Sequence, residues 1–280
     1  MSYKSILVHV DEKPRSQARV DVSLALAARF EAHVTALAVV PSPPNYRPSM
    51  PLLGPEIRQQ QIRPYEERAE QALAHFSERA RVEGRSAVET RTAHGDLLAA
   101  TTLHARYNDL LVIGQYDPDD AADAADEARR YPELITLGVG RPVLVVPYAG
   151  RFPKLGEHIA VAWDAGREAT RAVTDALPLL KLARKVTVLA VNADKVGRHG
   201  AEPGADIGLF LARHGVKVEV SQQQSGKLDV GTFLLSRLAD MDADLLVMGA
   251  YGHSRLRELV VGGVTRTLLD SMTVPVIMSH

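Results

Sequence analysis

There is no cysteine anywhere in the 280 residues. Disulfides, thiolate metal sites, cysteine nucleophiles and thiol redox chemistry are excluded together. The chain also lacks an excess of either charge: 33 Lys and Arg face 34 Asp and Glu, a formal net charge of −1. That balance gives no bulk attraction to nucleic acid or to an anionic membrane, and neither is expected as a partner. No apolar run approaches the length that spans a bilayer. Only Met1-Ser2-Tyr3-Lys4-Ser5 precedes the strand-like Ile6-Leu7-Val8-His9-Val10, too little for the apolar core of a signal peptide. A cytoplasmic location is the expectation.

What the chain does contain is a good core, with 46% hydrophobic and 24% charged residues, the composition of a soluble globular protein. Its length predicts two domains of about 140 residues each, and internal similarity supports that. Ile6-Leu7-Val8-His9-Val10-Asp11 reads like Ile159-Ala160-Val161-Ala162-Trp163-Asp164, and Val34 to Val39 like Val186 to Val191. Asp109-Leu110-Leu111-Val112-Ile113-Gly114 matches Asp244-Leu245-Leu246-Val247-Met248-Gly249, and Arg141-Pro142-Val143-Leu144-Val145 pairs with Val274-Pro275-Val276-Ile277-Met278. Four matches in one order mark a duplication. The offsets fall from 153 and 152 to 135 and 133, so the first copy carries an insertion, mainly Pro41 to Pro55. The linker Tyr148 to Gly156 holds glycine and proline, which divides the chain into domains 1–150 and 151–280 whose last strands are natural pairing edges for each other.

Within each copy, short apolar runs alternate with longer helical patterns, which predicts βαβ units around a parallel sheet buried on both faces. Strands are expected near 5–10, 34–40, 86–92, 109–114 and 143–147, and again near 158–163, 186–191, 216–221, 244–248 and 274–278. Helices are expected near 15–30, 56–83, 96–106 and 122–137, then 167–183, 204–214, 228–240 and 263–271. The fold class is therefore α/β: two tandem, doubly wound, five-stranded parallel-sheet domains. Ligands of such sheets bind at the carboxyl ends of strands near a topological switch point, where Asp11, Asp164, Gly114 and Gly249 fall.

One stretch has the form of an anion site: the strand run Leu245 to Met248, then Gly249-Ala250-Tyr251-Gly252, nine further residues, and Gly262-Gly263-Val264-Thr265 opening a helix. Glycines at a strand end and a helix start expose backbone N–H groups to an anion. With this Gly-x2-Gly-x9-Gly spacing, the leading Asp164 and the closing Val274-Pro275-Val276-Ile277, the second half resembles the universal stress protein family. The first half is similar to a diverged copy, so the resemblance covers essentially the whole chain. It implies a Rossmann-like, adenine nucleotide alpha hydrolase-like domain, association as a homodimer through the final strand or sheet edge, and, in the family's nucleotide-binding branch, ATP with its accompanying Mg. Carried over, Asp164 falls on the ribose and adenine side, Val191 against the adenine, and Gly249, Gly252, Gly262 and Gly263 on the phosphate loop with Val264 behind them. His253, Arg255 and Arg257 follow the loop, and His253 is counted among the candidate ligands. That branch carries serine or threonine where Gly263 stands here. Loss of that hydroxyl removes roughly 1.5–3 kcal/mol, about one to two decades of affinity. In the first copy the loop reads Gly114-Gln115-Tyr116-Asp117, and Arg129 and Arg130 stand opposite Gly262 and Gly263. That copy is expected not to bind ATP in the family manner.

The remaining features have simpler readings. Asp117 to Glu127 lacks calcium-loop spacing and reads as an acidic helix start. Asp96 in His94-Gly95-Asp96 reads as a helix N-cap, Ser225-Gly226-Lys227 is no phosphate loop, and Thr265 reads as an ordinary first-turn residue. The ten histidines do not cluster at ligand spacing. The Pro-rich segment 41–55 is either a surface loop or an arm for a protein partner. No residue suggests itself as a catalytic base, so the expected function is a stress-response sensor or regulator with a weakened ATP site in its second half. The alternative is a protein–protein interaction module whose loop glycines serve helix packing.

Overall fold

The computed structural model of the protein describes residues 2–42, 55–119, 126–193, 202–251 and 263–280. Contacts divide it into two compact units, Tyr3–Ile113 and Gly114–His280, with Ser2 assigned to the second.

In the first unit, β1 (Ser5–His9), β2 (His33–Val40), β3 (Val88–His94) and β4 (Leu110–Gly114) alternate with α1 (Ser16–Phe30), α2 (Pro55–Val82) and α3 (Leu97–Ala105). The strands run in the order β3-β2-β1-β4, all parallel, because a helix returns the chain to the same end of the sheet after each strand. The middle strands are continuous apolar runs, with Ile6, Leu7, Val8 and Leu110 to Ile113 all fully buried, as a sheet covered on both faces requires.

The second unit holds β5 (Val143–Val146), β6 (His158–Ala162), β7 (Lys185–Val191), β8 (Val218–Gln223), β9 (Leu245–Gly249) and β10 (Val276–Ser279). Its described helices are α4 (Asp126–Gly138), α5 (Arg167–Leu182), α6 (Ala205–Arg213), α7 (Val230–Asp240) and α8 (Gly263–Ser271). Strand order is β5-β10-β9-β6-β7-β8, so the switch point of the second copy lies between β6 and β9. Within this unit β5, the last strand of the first copy, runs antiparallel to β10, the last strand of the second, with Leu144 opposite Ile277. The two pairing edges expected from the sequence meet each other, and β10 has a strand on each side.

The expected elements all appear, with shifts that have physical causes. The third strand of each copy starts at Val88 and Val218, two residues late, because it is an exposed polar strand with little apolar pattern to mark its start. The last strand starts at Val276 rather than near 274. Pro275 has no N–H to give a ladder, although its carbonyl accepts from the Leu246 N–H at 3.0 Å. Asp96 is the N-cap of α3, accepting from the Ala99 N–H at 2.7 Å, as read from the sequence. Among the described residues no helix is long and apolar enough to cross a membrane.

The repeated Asp-Leu-Leu-Val run owes its aspartate to the first strand of its own copy. Asp109 accepts from the backbone N–H groups of Lys4 at 2.7 Å and Ser5 at 3.0 Å. Asp244 accepts from those of Gly156 at 2.7 Å and Glu157 at 2.9 Å. Each carboxylate therefore fixes the chain entering β1 or β6 before the sheet begins. Charge-assisted bonds of this kind contribute roughly 1.5–3 kcal/mol. Asp244→Ala is expected to lower unfolding free energy by about 2–3 kcal/mol in urea titration; a change under about 0.5 kcal/mol would show that the clamp carries no weight.

Candidate functional site

The site in the second copy is assembled where β6, β7 and β9 end side by side. Ala162 of β6 is paired with Leu189 of β7 and Met248 of β9, so Asp164, Val191 and Gly249 reach the same rim of the sheet. Past β6 the chain turns through Ala165 at φ 56°, and the Gly166 N–H donates to Asp164 Oδ1 at 2.8 Å. A side chain at Gly166 would collide with that carboxylate, so glycine there lets Asp164 sit over the start of α5.

Val191 closes β7, half-buried. The next residue, Asn192, has φ 53° and exchanges two hydrogen bonds with Ser225: Asn192 Nδ2 donates to Ser225 Oγ at 2.9 Å, and the Ser225 N–H donates to Asn192 Oδ1 at 3.0 Å. That pair fixes the turn on which Val191 stands, and it escaped the sequence reading because the partners are 33 residues apart.

Gly249 ends β9, and its role is partly mechanical. A Cβ there would fall on the backbone of Glu168 and Ala169, so only glycine lets the start of α5 come this close. Gly263 opens α8, and among the described residues nothing lies within 4 Å of where its Cβ would be; Val264 follows in the same turn. Thr265 is buried, and its Oγ1 accepts from the Tyr251 N–H at 3.4 Å. Its hydroxyl thus ties the loop to α8, as befits the ordinary first-turn residue expected of it. Gly252, His253, Arg255, Arg257 and Gly262 lie outside the described residues, as do residues 43–54 of the Pro-rich segment, Asp120 to Asp123 and His199. Among the described residues no group of three His, Asp or Glu converges as a metal would need.

The first copy shows what became of the equivalent aspartate. Arg19, on α1, is buried. It donates from Nη2 to Asp11 Oδ2 and from Nε to the His9 carbonyl at 2.6 Å. The Lys13 N–H adds a bond to Asp11 Oδ1 at 3.1 Å. Burial raises the Asp11 carboxyl, but the Arg19 guanidinium more than offsets it, leaving the group below its usual range. Burial, followed by the Arg19 charge, holds the His9 imidazole down at about 4. The buried faces of α1 and α5 align residue by residue, Ser16 with Ala169, Val20 with Val173, Ser23 with Ala176, Leu26 with Leu179, which places Ala172 where Arg19 stands. Asp164 therefore has no such guanidinium, and no cation among the described residues is paired with it. The sequence held this signal in the Arg19 and Ala172 correspondence, but it acquires meaning only when the helix face is known.

The glycine positions of the first copy are also filled. Arg129 Nη2 donates to Asp270 Oδ2 at 3.1 Å, and Arg130 Nε lies 4.0 Å from Glu133 Oε2.

A sheet switch point, an aspartate beside it with no cation partner among the described residues, and a glycine strand end define the class: a tandem, doubly wound, Rossmann-like α/β protein. Comparison narrows it. The model of the universal stress protein family matches residues 2–117 and 156–280, and the chain belongs to that family. Universal stress protein Slr1230 of Synechocystis is 26% identical over 176 residues, 60% of this chain and 57% of that relative, so the match spans little more than half the relative's length. A universal stress protein of Archaeoglobus fulgidus superposes with a TM-score of 0.74 at 15% identity, covering 98% of this chain and 95% of its own. A functionally unknown protein of Pseudomonas aeruginosa PAO1 gives 0.61 at 17% identity, covering 99% and 92%. At such identities these structures share the fold.

The cluster of part-buried His9 and Asp11 with buried Arg19 makes stability depend on pH. His9 titrates near 4 folded and near 6.5 unfolded, so between those values the unfolded chain binds more protons. Stability is expected to fall as pH drops from 6.5 to 4, by roughly 2–3 kcal/mol, and to fall further below pH 4 as Asp11 protonates. Urea titrations of His9→Asn should lack the first of these slopes; an unchanged slope would remove His9 from the account.

Proposed function

We propose that this protein is a nucleotide-responsive sensor or regulator that holds ATP in its second copy alone. The observation that supports it most is the contrast between the two aspartates. Asp11 is closed off by an internal guanidinium, whereas Asp164 keeps an uncompensated carboxylate at the switch point of its sheet, open to accept hydrogen bonds from a ribose. Val191 would border the base, and the backbone N–H groups at the start of α8, with the positive end of its dipole, would face phosphates. Mg would arrive with the nucleotide. The first copy serves as a structural partner for the second.

A second reading draws on Gly249, whose lack of a side chain is fully accounted for by its approach to α5. On that reading the loop glycines serve packing, and the protein is an interaction module that binds through residues 42–54 and its domain surfaces.

Calorimetric titration with ATP separates the two. Wild-type protein is expected to bind, and Gly252→Glu and Asp164→Asn to weaken binding by at least about tenfold. Equal heats for all three proteins, with no nucleotide released on acid extraction, would leave the interaction module.

Gly263 supplies a sharper test, since no described residue occupies the space beside it. Gly263→Ser is expected to tighten ATP by about 10- to 100-fold, the return of one hydrogen bond to a charged oxygen. Unchanged or weaker binding would place the phosphates elsewhere.

A further inference from the structure

Between α4 and α8, within the second compact unit, lies a cavity of about 250 Å³ lined by Arg129, Arg130, Glu133, Tyr251, Arg266 and Asp270 among others. Three guanidiniums face two carboxylates. Asp270 is shared, with Arg129 Nη2 at 3.1 Å and Arg266 Nε at 3.8 Å, while Arg130 Nε stands 4.0 Å from Glu133 Oε2, too far for a good hydrogen bond. Among the described residues three guanidiniums thus meet two carboxylates at this cavity, and Arg130 has no closer carboxylate partner there than Glu133. Tyr251 adds a phenol at the cavity wall. Burial, followed by the Glu133 carboxylate, holds that phenol well above its usual range, so it remains an O–H donor at every physiological pH.

The charges also stand against the helices that carry them. Arg266 is in the opening turn of α8 and Asp270 near its end, the reverse of what the helix dipole favours. Arg129 and Arg130 likewise sit close to the start of α4. Solvation alone would place these side chains pointing apart; here they converge.

We propose that this cavity is a second anion site, distinct from the glycine loop, which takes a phosphate or pyrophosphate group on Arg129, Arg130, Arg266 and the Tyr251 hydroxyl. Guanidinium forks match phosphate oxygens in pairs, and a phosphate supplies the missing negative charge. The inference stands apart from ATP binding in the loop. The phosphate has two sources, a free inorganic anion or the phosphate tail of a nucleotide bound at Gly249 and Gly252, and the loop variant distinguishes them.

The experiment is calorimetric titration of the full chain with inorganic pyrophosphate, at fixed low salt, with a urea titration of each variant to show that the fold is kept. Wild-type protein is expected to bind, the Arg129→Gln, Arg130→Gln double variant to bind about 10- to 100-fold more weakly, and the neutral loop variant Gly263→Ser to bind as wild type does. Asp270→Asn is expected to bind several-fold more tightly, because it frees two guanidiniums from a competing carboxylate, which a purely structural role for Asp270 would not produce. Absence of heat with wild-type protein, or equal affinity in the double variant, would overturn the proposal. So would a gain of about 10- to 100-fold in pyrophosphate affinity in Gly263→Ser, which would place the anion in the glycine loop. Failure of ATP binding with pyrophosphate binding intact would remove the nucleotide reading and leave this one standing.

Discussion

A carboxylate at the end of a buried strand has to be answered by something, since an ionised group withdrawn from water without a partner costs several kcal/mol. Both copies of this chain end their first strand in that situation, and they answer it differently. Asp11 is met by Arg19 reaching up from α1, with the Lys13 N–H beside it. Asp164 receives the Gly166 N–H and otherwise stays partly open to solvent. A buried ion pair adds little net stability over an apolar pair of the same shape, yet removing one member leaves a charge stranded. The first copy is held in its ion-paired arrangement for that reason, while Asp164 has no such partner among the described residues.

The same rim depends on how closely backbone can approach backbone. Gly249 allows the start of α5 to sit against the end of β9, which brings Asp164 and the strand ends together at the switch point. On the other side of β10, Gln115 ties the end of β5 to α8. Its N–H donates to the Val146 carbonyl at 2.8 Å and its Nε2 to the Leu269 carbonyl at 2.8 Å, one of the carbonyls that the C-terminus of α8 leaves without an intrahelical partner. The Tyr148 N–H returns a bond to Gln115 Oε1 at 3.1 Å. A residue that stands in the first copy's degenerate loop has thus become a fastener for the second copy's last helix.

Much of this was legible in the sequence, and the parts that were not share a cause. Apolar runs and helical spacing placed every described element, because a parallel sheet buried on both faces imposes its pattern directly on β1, β4, β6 and β9. The pattern fades on β3 and β8, whose side chains are mostly exposed, and there the starts moved by two residues. Of the candidate site, Gly249 and Gly263 could be named from motif spacing, and Asp164, Val191 and Val264 from the family resemblance that spacing carries. Arg19, Asn192 with Ser225, and Tyr251 could not, since each matters through a partner far away in the chain or through a turn geometry with no local signature. Gly249 shows the converse difficulty: a glycine that fits a phosphate motif also has a packing reason to be glycine.

Duplication explains how arginine came to be tolerated where the second copy has glycine. At positions 129 and 130 the first copy carries arginines where the second carries Gly262 and Gly263. These side chains are long enough to reach α8, and Arg129 does so through Asp270. Neither arginine is favoured by the start of the helix that carries it, and half-exposed ion pairs of this kind contribute at most about 1 kcal/mol. Stability alone therefore gives weak grounds for gathering three guanidiniums around one cavity. A negatively charged occupant would give the arrangement a favourable balance that the two described carboxylates, Glu133 and Asp270, do not supply.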